Sequence, residues 1–225
     1  MAIPKDIKWV TFDVYGTLID FETGVFDAFT KEAARDGYTL SKDELIPIFL
    51  EAQEEIKGGS YELYAEVLRR TANKISQRLG WPLEPSRAGF LPTSIPRWPV
   101  FRETNTQLTK FRKKFDLGLI ANIDDKLLGE TRRHFNVDFD LVVTAQQVRS
   151  YKPDPAHFKE FERRIGTKKG WVHIGSSYHY DIEPAVKLKI PTIWVNRRKQ
   201  VLEAGQKKPD AEVKTLLEAA KLLGI

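Results

Sequence analysis

Five short apolar runs, each followed by a helical stripe, constrain this chain more than any other feature of it. They are Trp9–Phe12, Leu117–Ala121, Phe139–Thr144, Trp171–Ile174 and Pro191–Val195. Each is too short for a helix and rich in β-forming residues, as expected of a strand buried on both faces. The intervening stretches have apolar residues at helical spacing: Phe101–Phe115, the segment from Asp124 or Asp125 toward Phe135, Phe158/Phe161/Ile165, Ile182–Leu188 and Val213–Leu223. Strands that alternate with helices predict an α/β fold with a doubly wound parallel sheet.

One long interval breaks the alternation. From Phe21 to Arg97 the pattern is helical throughout. Val25, Phe26, Phe29, Ala33 and Ala34 form one stripe. Ser41-x-x-Glu44 has the form of a capping box before Leu45, Ile46, Phe49 and Leu50. Gly58-Gly59 is a break, after which Ser60 or Tyr61 is expected to open a helix ending at Gly80. The expected organisation is a core of residues 1–20 and 98–225, with residues 21–97 inserted as about four helices.

Composition narrows the classes. A chain of 225 residues with 41% hydrophobic content can bury a sizeable core. It has no cysteine, so disulfide scaffolds and thiolate chemistry are excluded, and a cytoplasmic location is expected. Neither a signal-peptide pattern near the start nor a run of about 18 apolar residues is present, so no membrane association is expected. The net charge of +5 comes from short clusters such as Arg112-Lys113-Lys114 and Arg197-Arg198-Lys199. With no nucleic-acid motif beside them, they read as solvated faces.

Polar residues at the strand ends are where chemistry is expected, because ligands of open α/β sheets sit beyond the carboxyl ends of the strands. Asp13 closes the first strand, Asn122 the second, and the loop Ser176–Asp181 the fourth, while Lys152 stands in the connection after the third. An attacking carboxylate, a fixed cation and a second carboxylate would meet at that edge. Taken singly, each has a plainer reading: Asp13 as a turn or helix cap, Lys152 as a surface lysine, Asp181 as a residue favoured by a helix dipole. The histidines offer no metal-ligand spacing. His134 and His157 are expected at the surface and His173 in the core, while His179 is a possible substrate contact.

The motif Asp13-x-Tyr15-Gly16-Thr17-Leu18, followed in order by Asn122, Lys152-Pro153-Asp154-Pro155 and Gly175-Ser176…Asp181, resembles the haloacid dehalogenase superfamily. The resemblance implies a Rossmann-like core with an inserted helical cap. It implies Asp13 as nucleophile supported by Thr17, Lys152 as the cation between Asp13 and Asp181, and Asp181 as the group that places or deprotonates water. Ser176 joins the catalytic set, and Tyr15, Asn122, Tyr178 and Tyr180 are the implied substrate-binding residues.

Tyr15 stands where phosphatases of the superfamily carry a second Asp, and Ser176 where they carry a magnesium-binding acid. Both substitutions resemble the L-2-haloacid dehalogenase branch, in which the leaving halide needs no proton. The implied activity is therefore metal- and cofactor-free hydrolysis of a short halogenated carboxylate, by a protein that pairs as a homodimer. The chain departs from the branch at Ala121, where a hydroxyl is usual, and at Tyr178, where Asn is usual; Phe49–Ile56 offers no Arg for a halide. Those departures keep two alternatives open: another small-molecule hydrolase of the superfamily (a weak phosphatase, or an enzyme opening a carboxylate ring or ester), and a non-catalytic binding protein.

Overall fold

The computed structural model describes residues 3–225; Met1 and Ala2, part of the expected core segment, lie outside the described residues. Six strands form one sheet: β1 Trp9–Phe12, β2 Asp116–Ala121, β3 Leu141–Thr144, β4 Trp171–Gly175, β5 Thr192–Val195 and β6 Ala211–Val213. All five neighbouring pairs are parallel, in the order β3-β2-β1-β4-β5-β6. This is the doubly wound α/β order. The chain first builds outward from β1 through β2 to β3, then crosses to the other side of β1 for β4. The switch point therefore lies between β1 and β4, where Phe12 is level with Ile174.

The strand interiors are apolar on both faces because helices cover both. On one side Phe158, Phe161 and Trp171 pack with Ile120, Val143, Ala185 and Ile190. The Phe161 and Trp171 rings stack with centroids 5.0 Å apart. Gly118 in β2 makes room for this packing, since a Cβ there would lie 2.4 Å from the Phe161 ring. On β1, the Phe12 ring meets Phe111 of the helix Thr104–Arg112 edge to face.

The strand β6 was not expected. Its last residue, Val213, was expected to open the closing helix, but that helix runs only from Leu216 to Leu222. Thr215 ends the extended segment and caps the helix, accepting from the Glu218 N–H at 3.2 Å. A three-residue edge strand carrying the exposed Glu212 has too little apolar pattern to register in a sequence. The expected helix Ile182–Leu188 is likewise divided, into a π-helical turn Tyr178–Ile182 and a helix Glu183–Lys187.

The chain forms two compact units. One comprises the chain up to Ile19 with residues 100–122 and 133–225; the other comprises residues 20–99 and 123–132. The second unit is built on the helices Phe21–Ala33, Lys42–Lys57 and Tyr64–Leu79, with short turns of helix over 85–97 and the helix Asp125–Thr131. Two of its starts differ from expectation. Ser41 holds the N-cap position of its helix, yet its side chain makes no capping bond. The third helix begins at Tyr64, where the buried Asp124 carboxylate accepts from the Tyr64 and Ala65 N–H groups at 2.7 and 2.8 Å. Asp124 therefore caps a helix about sixty positions earlier in the chain, while making no side-chain capping bond to the one it precedes. Among the described residues no helix is long and apolar enough to cross a membrane.

Candidate active site

β1 delivers Asp13 to the switch point. Its N–H continues the sheet ladder to Ile174 C=O at 3.0 Å, so the backbone is fixed before the side chain turns away from the strand end. The next residues fold back sharply: Gly16 has φ 99, in the region open to glycine, and its N–H reaches Ile19 C=O at 2.8 Å. This turn places the Thr17 hydroxyl 3.0 Å from Asp13 Oδ2, to which it donates.

Lys152 comes from the β3 side, on the connection that precedes the helix Ala156–Ile165, and is buried to 1% exposure. Its Nζ donates to Asp13 Oδ1 at 2.9 Å, Asp181 Oδ1 at 2.6 Å and the Ile120 carbonyl at 3.0 Å. All three ammonium protons are thereby used. Asn122 fixes the other end of the residue: its Oδ1 accepts from Lys152 N–H at 2.7 Å and its Nδ2 donates to Lys152 C=O at 3.0 Å. The amide expected to bind substrate is thus bonded to the Lys152 backbone.

Asp181 reaches the cluster from the turn after β4. Its Oδ2 accepts from the Ser177 N–H at 3.0 Å, and the Ser177 hydroxyl accepts from Tyr180 N–H at 3.1 Å. The approach is close enough that only glycine fits at 175, since a Cβ there would lie 2.4 Å from the Asp181 Cβ. Ser176 follows at the strand end, half-buried, with its carbonyl accepting from the Trp194 indole at 3.0 Å.

The structure therefore brings Asp13, Thr17, Lys152 and Asp181 into one bonded cluster, with Asn122 tied to it through the Lys152 backbone. Tyr15 and Tyr180 are half-buried on the two flanking turns. Tyr178 is directed elsewhere: its ring packs on Trp194 and its hydroxyl donates to the Lys207 carbonyl at 2.9 Å. Among the described residues no group of three or more His, Cys, Asp or Glu side chains is placed to hold a metal ion.

Two carboxylates around one ammonium leave a net negative charge in a dry setting, and the two acids divide it unequally. Burial, and then the charge of Asp181, push the Asp13 carboxyl up to about 6 despite the pull of Lys152. Burial acts on Asp181 as well, but the Lys152 charge and the bonds it receives outweigh it and hold the carboxyl down at about 2. Burial would lower Lys152, and the two carboxylates reverse that, so it stays charged.

Two residues of this unit, His157 and Arg197, lie where the sequence did not place them. His157, expected at the surface, is fully buried; burial and the nearby Lys152 charge push it down to about 3, so it is neutral. Its place on the inner face of the helix beside Phe158 and Phe161 is visible only once the helix register is known. His173 was expected in the core and is there, 3.8 Å from Asp181 Oδ1. Arg197, expected on a solvated face, instead donates to the Thr17 carbonyl at 3.0 Å, pairs with Glu103 at 2.8 Å and lies 3.7 Å over the Phe101 ring. It braces the Gly16–Thr17 turn from behind.

Residues 7–189 match the model of the haloacid dehalogenase-like hydrolases. The chain belongs to that family. Its curated relatives include an (S)-2-haloacid dehalogenase of Pseudomonas putida, 23% identical over 227 residues that cover 97% of each chain. A glyceraldehyde 3-phosphate phosphatase of Methanothermobacter thermautotrophicus is 29% identical over 201 residues, covering 84% of this chain and 86% of the relative. Among solved structures, the L-2-haloacid dehalogenase of Xanthobacter autotrophicus with chloropropionic acid covalently bound has a TM-score of 0.83 at 18% identity, covering 97% of this chain and 98% of that one. The relatives of this chain thus include both dehalogenases and a phosphatase.

Proposed function

We propose that this hydrolase is a dehalogenase of short 2-haloalkanoic acids, working through a covalent ester on Asp13. The observation that carries the proposal is the buried Asp13–Lys152–Asp181 cluster with Tyr15, and no carboxylic acid, two residues beyond Asp13. An alkoxide leaving from a phosphate ester needs a proton from a strong enough acid; a halide leaves as a stable anion. A phenol, with its ordinary pKa near 10, is a poor proton donor at neutral pH and a suitable wall for a halide.

In the first step an Asp13 carboxylate oxygen attacks C2 of the substrate from behind the carbon–halogen bond. The halide departs with the bonding pair, and C2 inverts. Lys152 and Thr17 hold the carboxylate so that attack needs no reorganisation. In the second step water attacks Cγ of the ester. Asp181, ionised at neutral pH, takes one proton from that water and returns it to the departing 2-hydroxy acid. Asp13 recovers as a carboxylate, releasing the second proton to solvent. The sum is haloacid plus water giving hydroxy acid, halide and one proton.

The similarity to dehalogenases supports this reading, and the Xanthobacter autotrophicus L-2-haloacid dehalogenase with chloropropionic acid covalently bound shares the fold. The test is halide release from fluoroacetate, chloroacetate and both enantiomers of 2-chloropropionate without added metal. A phosphate ester with and without magnesium runs beside them. Release that is lost in Asp13→Asn supports the proposal. Magnesium-dependent phosphate release with no halide release replaces it with the phosphatase reading.

A further inference from the structure

His173 is a polar residue in the middle of β4, and nothing in the chemistry above uses it. It is fully buried, and the edge of its ring meets the Phe158 ring at 4.9 Å. Its two nitrogens face different partners. Nδ1 lies 2.9 Å from Thr11 Oγ1, and Nε2 lies 3.8 Å from Asp181 Oδ1 while making no hydrogen bond.

The neighbours decide which nitrogen carries the proton. The Trp171 indole N–H, which can only donate, points at Thr11 Oγ1 from 2.8 Å. Thr11 then has its own proton to give. It can go to His173 Nδ1 at 2.9 Å or to the Val172 carbonyl at the longer 3.5 Å. The second choice would put the proton on Nδ1 and turn a bare Nε2 lone pair toward an ionised carboxylate. The first puts the proton on Nε2 and aims an N–H dipole at Asp181. Sterics and charge agree on the first.

We infer that the Trp171–Thr11–His173 relay is a positioning device for Asp181: it fixes the neutral Nε2–H tautomer of His173, whose dipole holds Asp181 Oδ1 in place for the hydrolytic water. Asp181 then has three supports: Lys152 at 2.6 Å and His173 at 3.8 Å on Oδ1, and the Ser177 N–H at 3.0 Å on Oδ2. His173 touches no reacting atom and acts through Asp181 alone. The role therefore belongs to ester hydrolysis and not to halide displacement.

This inference rests on the proposed assignment of Asp181 to water, so the experiment has one arm that needs no substrate. In the full chain labelled with 15N-histidine, the His173 ring at neutral pH should give the nitrogen shifts of a neutral Nε2–H tautomer. An Nδ1–H or cationic ring overturns the relay whatever the substrate proves to be. In the second arm, His173→Phe keeps the ring volume and removes the dipole. With 2-chloropropionate it should release one halide per site at the wild-type rate, then turn over about tenfold more slowly, the loss expected for one polar contact to a charged group. The ester on Asp13 should accumulate and be visible by intact mass. His173→Gln, which keeps an N–H, should recover most of the rate. Equal slowing of both steps with no ester accumulating, or wild-type turnover in the Phe variant, overturns the role. If wild type releases no halide, the dehalogenase reading fails while the tautomer result still stands or falls separately.

Discussion

Replacing Lys152 with Met removes the charge at the centre of the site while nearly keeping its volume. In wild type the ammonium touches Asp13 at 2.9 Å and Asp181 at 2.6 Å, with all three buried. Without it, two carboxylates face each other at a dry sheet edge. If both stayed charged, the loss would be of the size seen when one member of a buried ion pair is removed, about 3–5 kcal/mol. The pair escapes part of that loss by binding a proton. Asp13, already raised to about 6 with Lys152 present, should rise above neutrality in the variant.

The sign follows from proton linkage. A carboxyl whose folded pKa is raised binds more protons folded than unfolded, so stability falls as pH rises through the window between the two values. For one such proton the slope is about 1.4 kcal/mol per pH unit. Lys152→Met should therefore be less stable at pH 8 than at pH 6, by up to about 2.7 kcal/mol where Asp13 stays protonated throughout. Wild type, whose Asp13 titrates near 6, should be nearly flat between pH 7 and 8. Urea denaturation of both proteins at pH 6, 7 and 8 measures this. A deficit under about 1 kcal/mol at pH 8, or one that does not shrink with falling pH, would refute the picture of a dry cluster in which Lys152 offsets the repulsion of two carboxylates.

Three further outcomes are expected. Because Asp13 must be ionised to attack and titrates near 6, kcat/KM should fall on the acid side with a midpoint near that value, about tenfold below plateau one unit lower; a flat profile down to pH 5 contradicts it. Gly175→Ala would push a Cβ to 2.4 Å from that of Asp181, and should cost about 1–3 kcal/mol and at least a hundredfold in turnover, read by thermal melting and steady-state rate. Asp124→Ala removes the carboxylate that caps the helix Tyr64–Leu79, and should lower stability by about 1–2 kcal/mol, equivalent to a few degrees of melting temperature in a chain of this size. An unchanged melting curve would mean those N–H groups find water at no loss.

Where side-chain period and strand-end placement carried the information, the sequence was enough. Five of the six strands coincide with the apolar runs that announced them to within two residues at either end, and Asp13, Lys152 and Asp181 meet because parallel strands deliver their ends to one edge. What was hidden depended on register or on distant partners. Val213 was placed in a helix because a three-residue edge strand has no period of its own. His157 and Arg197 belong to polar-looking stretches, and only the turn of a helix and the reach of a long side chain bring them inside. Asn122 was expected at the substrate, but no local pattern could reveal that the Lys152 backbone would occupy its amide. Asp124 holds the N-cap position of the helix Asp125–Thr131, yet the helix its carboxylate caps lies about sixty residues earlier, a pairing that only the folded chain defines.

If Asp13 is the nucleophile, one of its own oxygens ends up in the product. A single turnover in 18O-labelled water tests it directly, with protein in excess over L-2-chloropropionate. Attack by Asp13 yields a 2-hydroxypropionate of inverted configuration whose hydroxyl carries no label, and one 18O atom in the peptide containing Asp13. Label in the product hydroxyl on the first turnover, with none in Asp13, would mean that water attacks the carbon itself and that no ester forms on Asp13.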